Sequence, residues 1–340
     1  MIKKVLAVLL GVLSLSAGLL VYQVDQFLTQ PISANTAPQV IEIKPGASAN
    51  RVAIKLNQAG LLKSPKWFVW YLRYHEKIGL IKTGEMLINP NWTVSELTDA
   101  LIKGETVKYP VTIVAGHTFK QTLETLQSSE KLVKDPTIQE LDSLYQTFNM
   151  KSLGDKNYPY AGLEGWFLPE TYLYQAGDTD LSILKRAQED LNNLLNTEWK
   201  NRAKDLPLNS PYEALILASI VEKETGIAHE RPLIAGVFVN RLKIGMRLQT
   251  DPTVIYGIGV NYDGNIRKKD LLTTTTYNTY RINGLPPTPI AMPSAEAIRA
   301  VMNPTKTSKL YFVAKGGGEH QFSDNLIEHN EAVRKYILNQ

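Results

Sequence analysis

The sequence predicts an α+β protein with a single transmembrane helix at its N-terminus, then a small strand-and-helix module, then a larger mixed α+β domain. Three observations carry this expectation. An uncharged apolar run over residues 5–22 follows Lys3 and Lys4. Units of strand, turn and helix recur between Val40 and Leu126. A segment apolar on nearly every side, within residues 210–226, fits only the interior of a sizeable domain. With 340 residues, 44% hydrophobic and 21% charged, the chain has room for two domains beyond a targeting segment.

The apolar run is 18 residues long, close to the roughly 20 that span a bilayer. A cleaved signal has a shorter apolar core, about 7 to 15 residues. Length therefore selects an anchor, although Ser14-Leu15-Ser16-Ala17 offers a cleavage-like stretch. Lysines on the short side leave residues 1–4 as a cytoplasmic tail and put 23–340 outside the cytoplasm. Residues 23–39, polar with two prolines, read as a linker.

The module follows over 40–109. VIEIKPG is an alternating strand with a Pro-Gly turn, and Ser48 caps a helix carrying Val52, Ile54 and Leu56 and ending at Gly60. In EMLINPNWTVSELTDALIKG, Thr93 and Glu96 form a capping box and Gly104 is the stop. VTIVAGHTFKQTLETL repeats the grammar a third time. Trp67, Trp70, Tyr71 and Tyr74 stand at i, i+3, i+4 and i+7, a stripe that either stacks sugars or forms the buried face of an amphipathic helix; the periodicity favours the buried face. Residues 110–160 read as a connecting region before a domain over 161–340, in which Trp166, Tyr172 and Tyr174 are a surface or a core.

Composition excludes several chemistries. The net charge of +4 is scattered, without the basic stripe of a nucleic-acid binder. There are no cysteines, which removes disulfides, thiolate metal sites, cysteine nucleophiles and a lipoprotein anchor. The five histidines (75, 117, 229, 320 and 329) lack His-Glu-x-x-His spacing, so no metal site is expected. Gly316-Gly317-Gly318 after LYFVAK reads as a hairpin turn rather than a phosphate loop.

The strongest constellation is SPYEALILASIVEKETG, residues 210–226. Ser210 is an N-cap, Pro211 suits the first turn, Glu213 completes a capping box and Gly226 ends the helix. Glu224 shares an apolar stripe with Leu217, Ile220 and Val221, whereas Glu222 shares a face with Leu215, Ala218 and Ser219. Apolar neighbours and the negative end of the helix dipole both disfavour ionisation of Glu224, the condition for a general acid. The competing reading makes both glutamates exposed last-turn residues neutralised by Lys223.

Larger motifs carry a resemblance. Ala218-Ser219-Ile220-Val221-Glu222-Lys223-Glu224-Thr225, then Val237-Phe238-Val239-Asn240-Arg241-Leu242 and Gly245-Met246-Arg247-Leu248-Gln249-Thr250-Asp251-Pro252-Thr253-Val254-Ile255-Tyr256-Gly257, resemble the YceG-like (MltG) family of endolytic murein transglycosylases. Tyr277-Asn278-Thr279-Tyr280 and Gly284-Leu285-Pro286-Pro287 continue the likeness. Ile43 to Gly60 and the turn Lys82-Thr83-Gly84-Glu85-Met86-Leu87 resemble a LysM domain, a small peptidoglycan-binding fold. The pattern Glu224-Thr225, Met246 to Gln249 and Tyr277-Asn278 is similar to that of goose-type lytic transglycosylases, with Arg247 inserted.

The resemblance implies an inner-membrane enzyme whose C-terminal domain lies in the periplasm and cuts glycan strands of peptidoglycan. It also implies Glu224 as sole acid and base, 1,6-anhydro-N-acetylmuramic acid ends, no cofactor, and wall-synthesis proteins as partners. Glu222, Asn240, Gln249, Thr250, Asp251, Tyr256, Tyr277 and Asn278 are the candidate substrate contacts, each with a competing role in turns or core. A hydrolase needs a second carboxylate about 5 to 9.5 Å away, and Asp251 is the acidic residue within the downstream motif block. A muramidase-type hydrolase and a non-catalytic glycan-binding scaffold are the alternatives.

Overall fold

The computed structural model describes residues 2–33 and 37–338, and the chain divides into two compact units. The first, Met1–Tyr109 with Gln175–Gly177, holds α1 (Ile2–Thr29), β1 (Gln39–Ile43), α2 (Ala49–Gln58), α3 (Pro65–Tyr74), β2 (Gly84–Ile88) and α4 (Val94–Lys103). Strands β1 and β2 pair antiparallel, Gln39 opposite Ile88 and Ile43 opposite Gly84. Their period-two pattern turns Ile41, Ile43, Met86 and Ile88 inward onto Val52, Leu56, Phe68, Leu72, Leu97 and Leu101.

Local chemistry sets the helix ends. Ser48 accepts from the Arg51 amide at the start of α2, and the Thr93–Glu96 capping box is closed from both sides. Gly104 ends α4 at φ 69°, where a Cβ would be strained. Ile54 departs from expectation and faces solvent, because α2 turns Val52, Ala53 and Leu56 inward.

Two further expectations change. The helix does not stop near Tyr22: α1 begins at Ile2, inside the expected tail, and runs on to Thr29. After it Ile32 is buried, with the Ile32 amide donating to Trp92 O (2.7 Å) and that of Ser33 to Pro90 O (3.0 Å). The expected linker is thus partly helix and partly bound to the module, since its few apolar residues find partners there; residues 34–36 lie outside the described residues. The aromatic stripe of α3 is not its buried face. Phe68 and Leu72, four apart, take that role and leave Trp70 and Tyr74 exposed.

The second unit, Pro110–Tyr174 with Asp178–Gln340, begins in β3 (Tyr109–Thr112), followed by α5 (Phe119–Gln127), α6 (Pro136–Gln139) and α7 (Leu141–Thr147). Then come β4 (Thr171–Tyr174), α8 (Asp180–Lys200), α9 (Pro211–Glu224), α10 (Arg231–Lys243), α11 (Asp251–Ile258), α12 (Lys268–Leu272) and α13 (Ala295–Met302). It closes with β5 (Tyr311–Gly316), β6 (Glu319–Ser323) and α14 (Leu326–Tyr336). Residues 110–160, read as a connection, supply β3 and three helices of this unit, and β3 pairs with β4. Tyr172 and Tyr174 are core, while Trp166 stacks on Tyr212 at 5.4 Å.

Helix α9 sits at the centre, packed by α8, α10, α11 and α13. Every residue from Ala214 to Val221 is buried, and each large side chain among them contributes about 1.5–3 kcal/mol. Its start matches the sequence reading in part: Ser210 accepts from the Glu213 amide, but the Glu213 carboxylate reaches past it to the Asn209 amide (2.7 Å). Its end differs. Thr225 turns extended (φ −145°) and its hydroxyl accepts from the Ile227 amide (3.0 Å), so the helix stops before Gly226 is reached.

On α10, Gly236 allows the strap 305–309 to lie against the helix, and the Asn240 amide fastens it by donating to Thr307 O (2.7 Å) and Lys309 O (3.1 Å). A Cβ at 236 would sit 2.4 Å from Thr305 O. Gly236→Ala should therefore destabilise the protein by about 1–3 kcal/mol through overpacking. Gly226→Ala, with nothing within 4 Å, should stay within about 0.5 kcal/mol of the parent. Chemical denaturation of both variants measures the contrast.

Candidate active site

The two glutamates at the end of α9 separate. Glu222 Oε2 accepts from the Ser294 amide (3.0 Å) and hydroxyl, and Oε1 lies 3.8 Å from Arg231, with both side chains largely buried. It ties α9 to the start of α13. Glu224 instead receives the Thr250 hydroxyl on Oε1. The residue keeps partial exposure, yet burial of its carboxyl holds the pKa above the ordinary value. The Thr250 bond pulls it down, the Asp251 charge pushes it up, and His320 and Arg241 pull it down more weakly.

Threonines hold this arrangement. The Thr250 amide donates to Thr279 Oγ1 (3.1 Å), while Thr253 Oγ1 reaches Thr250 O and Thr279 Oγ1, both at 2.8 Å. Thr250 and Thr253 lie at the start of α11, which Asp251-Pro252 opens. The preceding residue, Gln249, is exposed and sits at φ +47°, a left-handed conformation uncommon outside glycine. Its amide donates to Thr279 O (3.2 Å), and Arg241 braces the same loop by donating through Nη1 to Leu248 O while its Nε donates to Leu310 O (2.7 Å), next to β5.

Asp251 accepts from the Tyr280 hydroxyl at 2.7 Å. Burial first, then the Asp251 carboxylate, raises the Tyr280 pKa, so the phenol keeps its proton. His320, on the β5–β6 hairpin, is held by Glu230: its amide donates to Oε1 (2.9 Å), and Nδ1 pairs with Oε2 (2.8 Å). The sequence reading missed Arg241, Tyr280 and the Glu230–His320 pair. Arg241 and Tyr280 stand inside motifs it quoted, whereas nothing in the local sequence marks His320.

The structure brings Glu224, Thr250 and Asp251 together, with Gln249 beside them. Glu222 and Asn240 serve packing contacts instead. Asn278 is buried, its amide donating to Asp270 O, Leu271 O and Thr273 O. Tyr277 is core and bonded to Thr288 (2.8 Å). Tyr256 stacks on Tyr158 and donates to Glu164 (3.2 Å). Glu164 is a second buried carboxyl that sequence reading did not find. Burial pushes its pKa up to about 8 against the Phe119 amide and the Tyr256 hydroxyl, which favour its ionised form. Among the described residues no cluster of His, Asp and Glu could hold a metal ion.

Similarity to known proteins bears on these elements together. The profile of the YceG-like family matches residues 41–335, most of the chain. The chain belongs to the YceG-like family. It is 34% identical over 322 residues to the endolytic murein transglycosylase of Bacillus subtilis, covering 91% of this chain and 88% of that protein. The enzyme of the same name from Streptococcus pneumoniae is 29% identical over 347 residues, and there the match covers 93% of this chain but 61% of that longer protein. A crystal structure of a YceG-like protein from Listeria monocytogenes superposes with a TM-score of 0.53 at 27% identity, covering 87% of this chain and 99% of that one.

The opposed influences on Glu224 give a signed test. Asp251→Asn removes the charge that raises its pKa, so its titration should move to lower pH; Thr250→Val removes the donor that favours the carboxylate and should move it higher. Carboxyl-carbon NMR on glutamate-labelled protein reads both, with Glu224→Gln assigning the resonance.

Proposed function

We propose that the chain is an endolytic murein transglycosylase, a lyase that cleaves the N-acetylmuramic acid to N-acetylglucosamine bond inside peptidoglycan glycan strands. The observation that carries this reading is the Glu224 carboxyl, held by Thr250 at the end of a buried helix with its pKa raised. Names of relatives along nearly the whole chain support the substrate class.

Protonated Glu224 donates its proton to the glycosidic oxygen as the bond to C1 of the muramic acid residue breaks. The resulting carboxylate then takes the proton of that sugar's 6-hydroxyl, which attacks C1 and closes the 1,6-anhydro ring. No water is consumed, and the carboxyl ends in its starting state. Thr250 orients the carboxyl and favours its ionised form at the moment of transfer. The exposure of Gln249 and the Tyr280–Asp251 pair supports a reading in which these groups meet sugar hydroxyls. The charge of Asp251 acts on Glu224, which keeps a hydrolytic muramidase as the second reading, with Asp251 as base.

Helix α1 is apolar over a length that crosses a membrane. Lys3 and Lys4 on its short side support a reading in which the remaining chain lies outside the cytoplasm, in the periplasm of an inner-membrane protein. The β1-α2-α3-β2 order with its paired strands supports the LysM-like reading of 40–109. A cleft of about 270 Å³ along β1 and α2, lined by Lys44, Pro45, Arg51 and Lys55 among others, offers a glycan-sized groove.

Glu224→Gln removes the transferable proton while keeping the side chain's shape, so anhydro-muropeptide release from purified murein should fall about 100- to 10,000-fold with the fold intact. Glu222→Gln should retain most release but unfold earlier, because it weakens a buried contact with Arg231 and Ser294. Mass spectrometry of products and circular dichroism separate the two effects. Reducing muramic ends in place of anhydro ends would select the muramidase, and full release by both variants would place the acid elsewhere.

A further inference from the structure

We propose that the outward face of α3 lies in the headgroup zone of the bilayer and seats the first unit on anionic phospholipid. This rests on the reading of α1 as a membrane anchor. Trp70 and Tyr74 are 60% and 71% exposed, and their rings stack at 5.6 Å, so two large aromatics are held together facing away from the core. Ile78 and Leu80, just beyond the helix, are exposed as well. Tryptophan and tyrosine concentrate where a membrane meets water, because their rings are apolar at one end and polar at the other.

Charge on the same stretch is one-sided. Between residues 63 and 82 stand Lys63, Lys66, Arg73, Lys77 and Lys82 against a lone carboxylate, Glu76. Lys63, Lys66, Arg73 and Lys82 are exposed, while Lys77 pairs with Asp99 at 2.9 Å. Aromatic rings beside cations form a surface that suits acidic lipid headgroups. A glycan would also suit the rings.

Continuity with α1 decides between those occupants. Phe27, in the last turns of α1, meets Trp67 of α3 edge to face at 5.5 Å. The apolar run ends at Tyr22, so Phe27 stands five residues, or about 7.5 Å, beyond it along the helix. The headgroup zone is about 5–7.5 Å deep on each side of the hydrocarbon. Trp67 therefore begins the α3 stripe at the outer edge of that zone, and the backbone bonds of Ile32 to Trp92 and Ser33 to Pro90 leave little slack between helix and module.

The test uses the 340-residue chain, whose sequence contains no cysteine, reconstituted in phosphatidylcholine vesicles with and without phosphatidylglycerol. A polarity-sensitive fluorophore is attached to Tyr74→Cys, to Val12→Cys within α1, or to Val40→Cys on the exposed side of β1. The probe at 74 should be quenched by headgroup spin-labelled lipid, be shielded from aqueous iodide, and lose that shielding in Lys66→Glu/Arg73→Glu or without the anionic lipid. The probe at 40 should stay open to iodide. If the probe at 12 is quenched by acyl-chain spin labels while 74 stays open to iodide, the anchor stands and this proposal fails. Shielding of 74 by added soluble glycan strands but not by lipid overturns it in favour of a sugar platform. A probe at 12 that no lipid quenches removes the anchor reading and this inference with it.

Discussion

Enclosure of α9 on all sides is the constraint on which the second unit depends. A helix whose residues from Ala214 to Val221 are all buried must have neighbours around its circumference, and α8, α10, α11 and α13 supply them. Carboxylates can then appear only where the helix emerges. Two residues apart on an α-helix is a rotation of about 200°, so Glu222 and Glu224 leave on nearly opposite sides. One meets Ser294 and Arg231, the other Thr250. The same packing that excludes water from the core raises the pKa of Glu224, and its partners return part of that rise.

Hydroxyl groups rather than charges do most of the fixing around Glu224. Thr250, Thr253 and Thr279 are nearly fully buried and bonded to one another and to backbone. Such bonds hold the loop without adding a formal charge beside the carboxyl. The nearby ionisable groups, Asp251, Arg241 and His320, each have a partner of their own, which keeps their positions defined.

What could be read from the sequence was what local chemistry decides. The caps at Ser48, Thr93 and Ser210 and the stop at Gly104 involve residues within one turn of each other. The stripe holding Glu224 was legible for the same reason. Orientation was not: period alone could not tell that Phe68 and Leu72, rather than the tryptophans and tyrosines, would face inward. Polar residues within the motifs were equally ambiguous, since Asn240 and Asn278 satisfy backbone carbonyls of loops that only the fold brings near. His320 lies far along the chain, and its place depends on how the last hairpin docks through Glu230.

The single hydroxyl within the apolar stretch of α9 has a consequence of its own. Ser219 donates to Ile216 O (2.7 Å) and accepts from the amide of Ile290 (3.0 Å) in a wholly buried setting. Hydrophobic surfaces alone tolerate sliding and turning, because one greasy contact substitutes for another. A buried donor left without its acceptor does not, at a cost of about 1–3 kcal/mol. Ser219 therefore acts as an index mark that sets the azimuth of the helix, and through it which glutamate points toward Thr250. Transplanting this helix into another scaffold would carry its carboxyl to the right place only if the amide of residue 290 travelled with it.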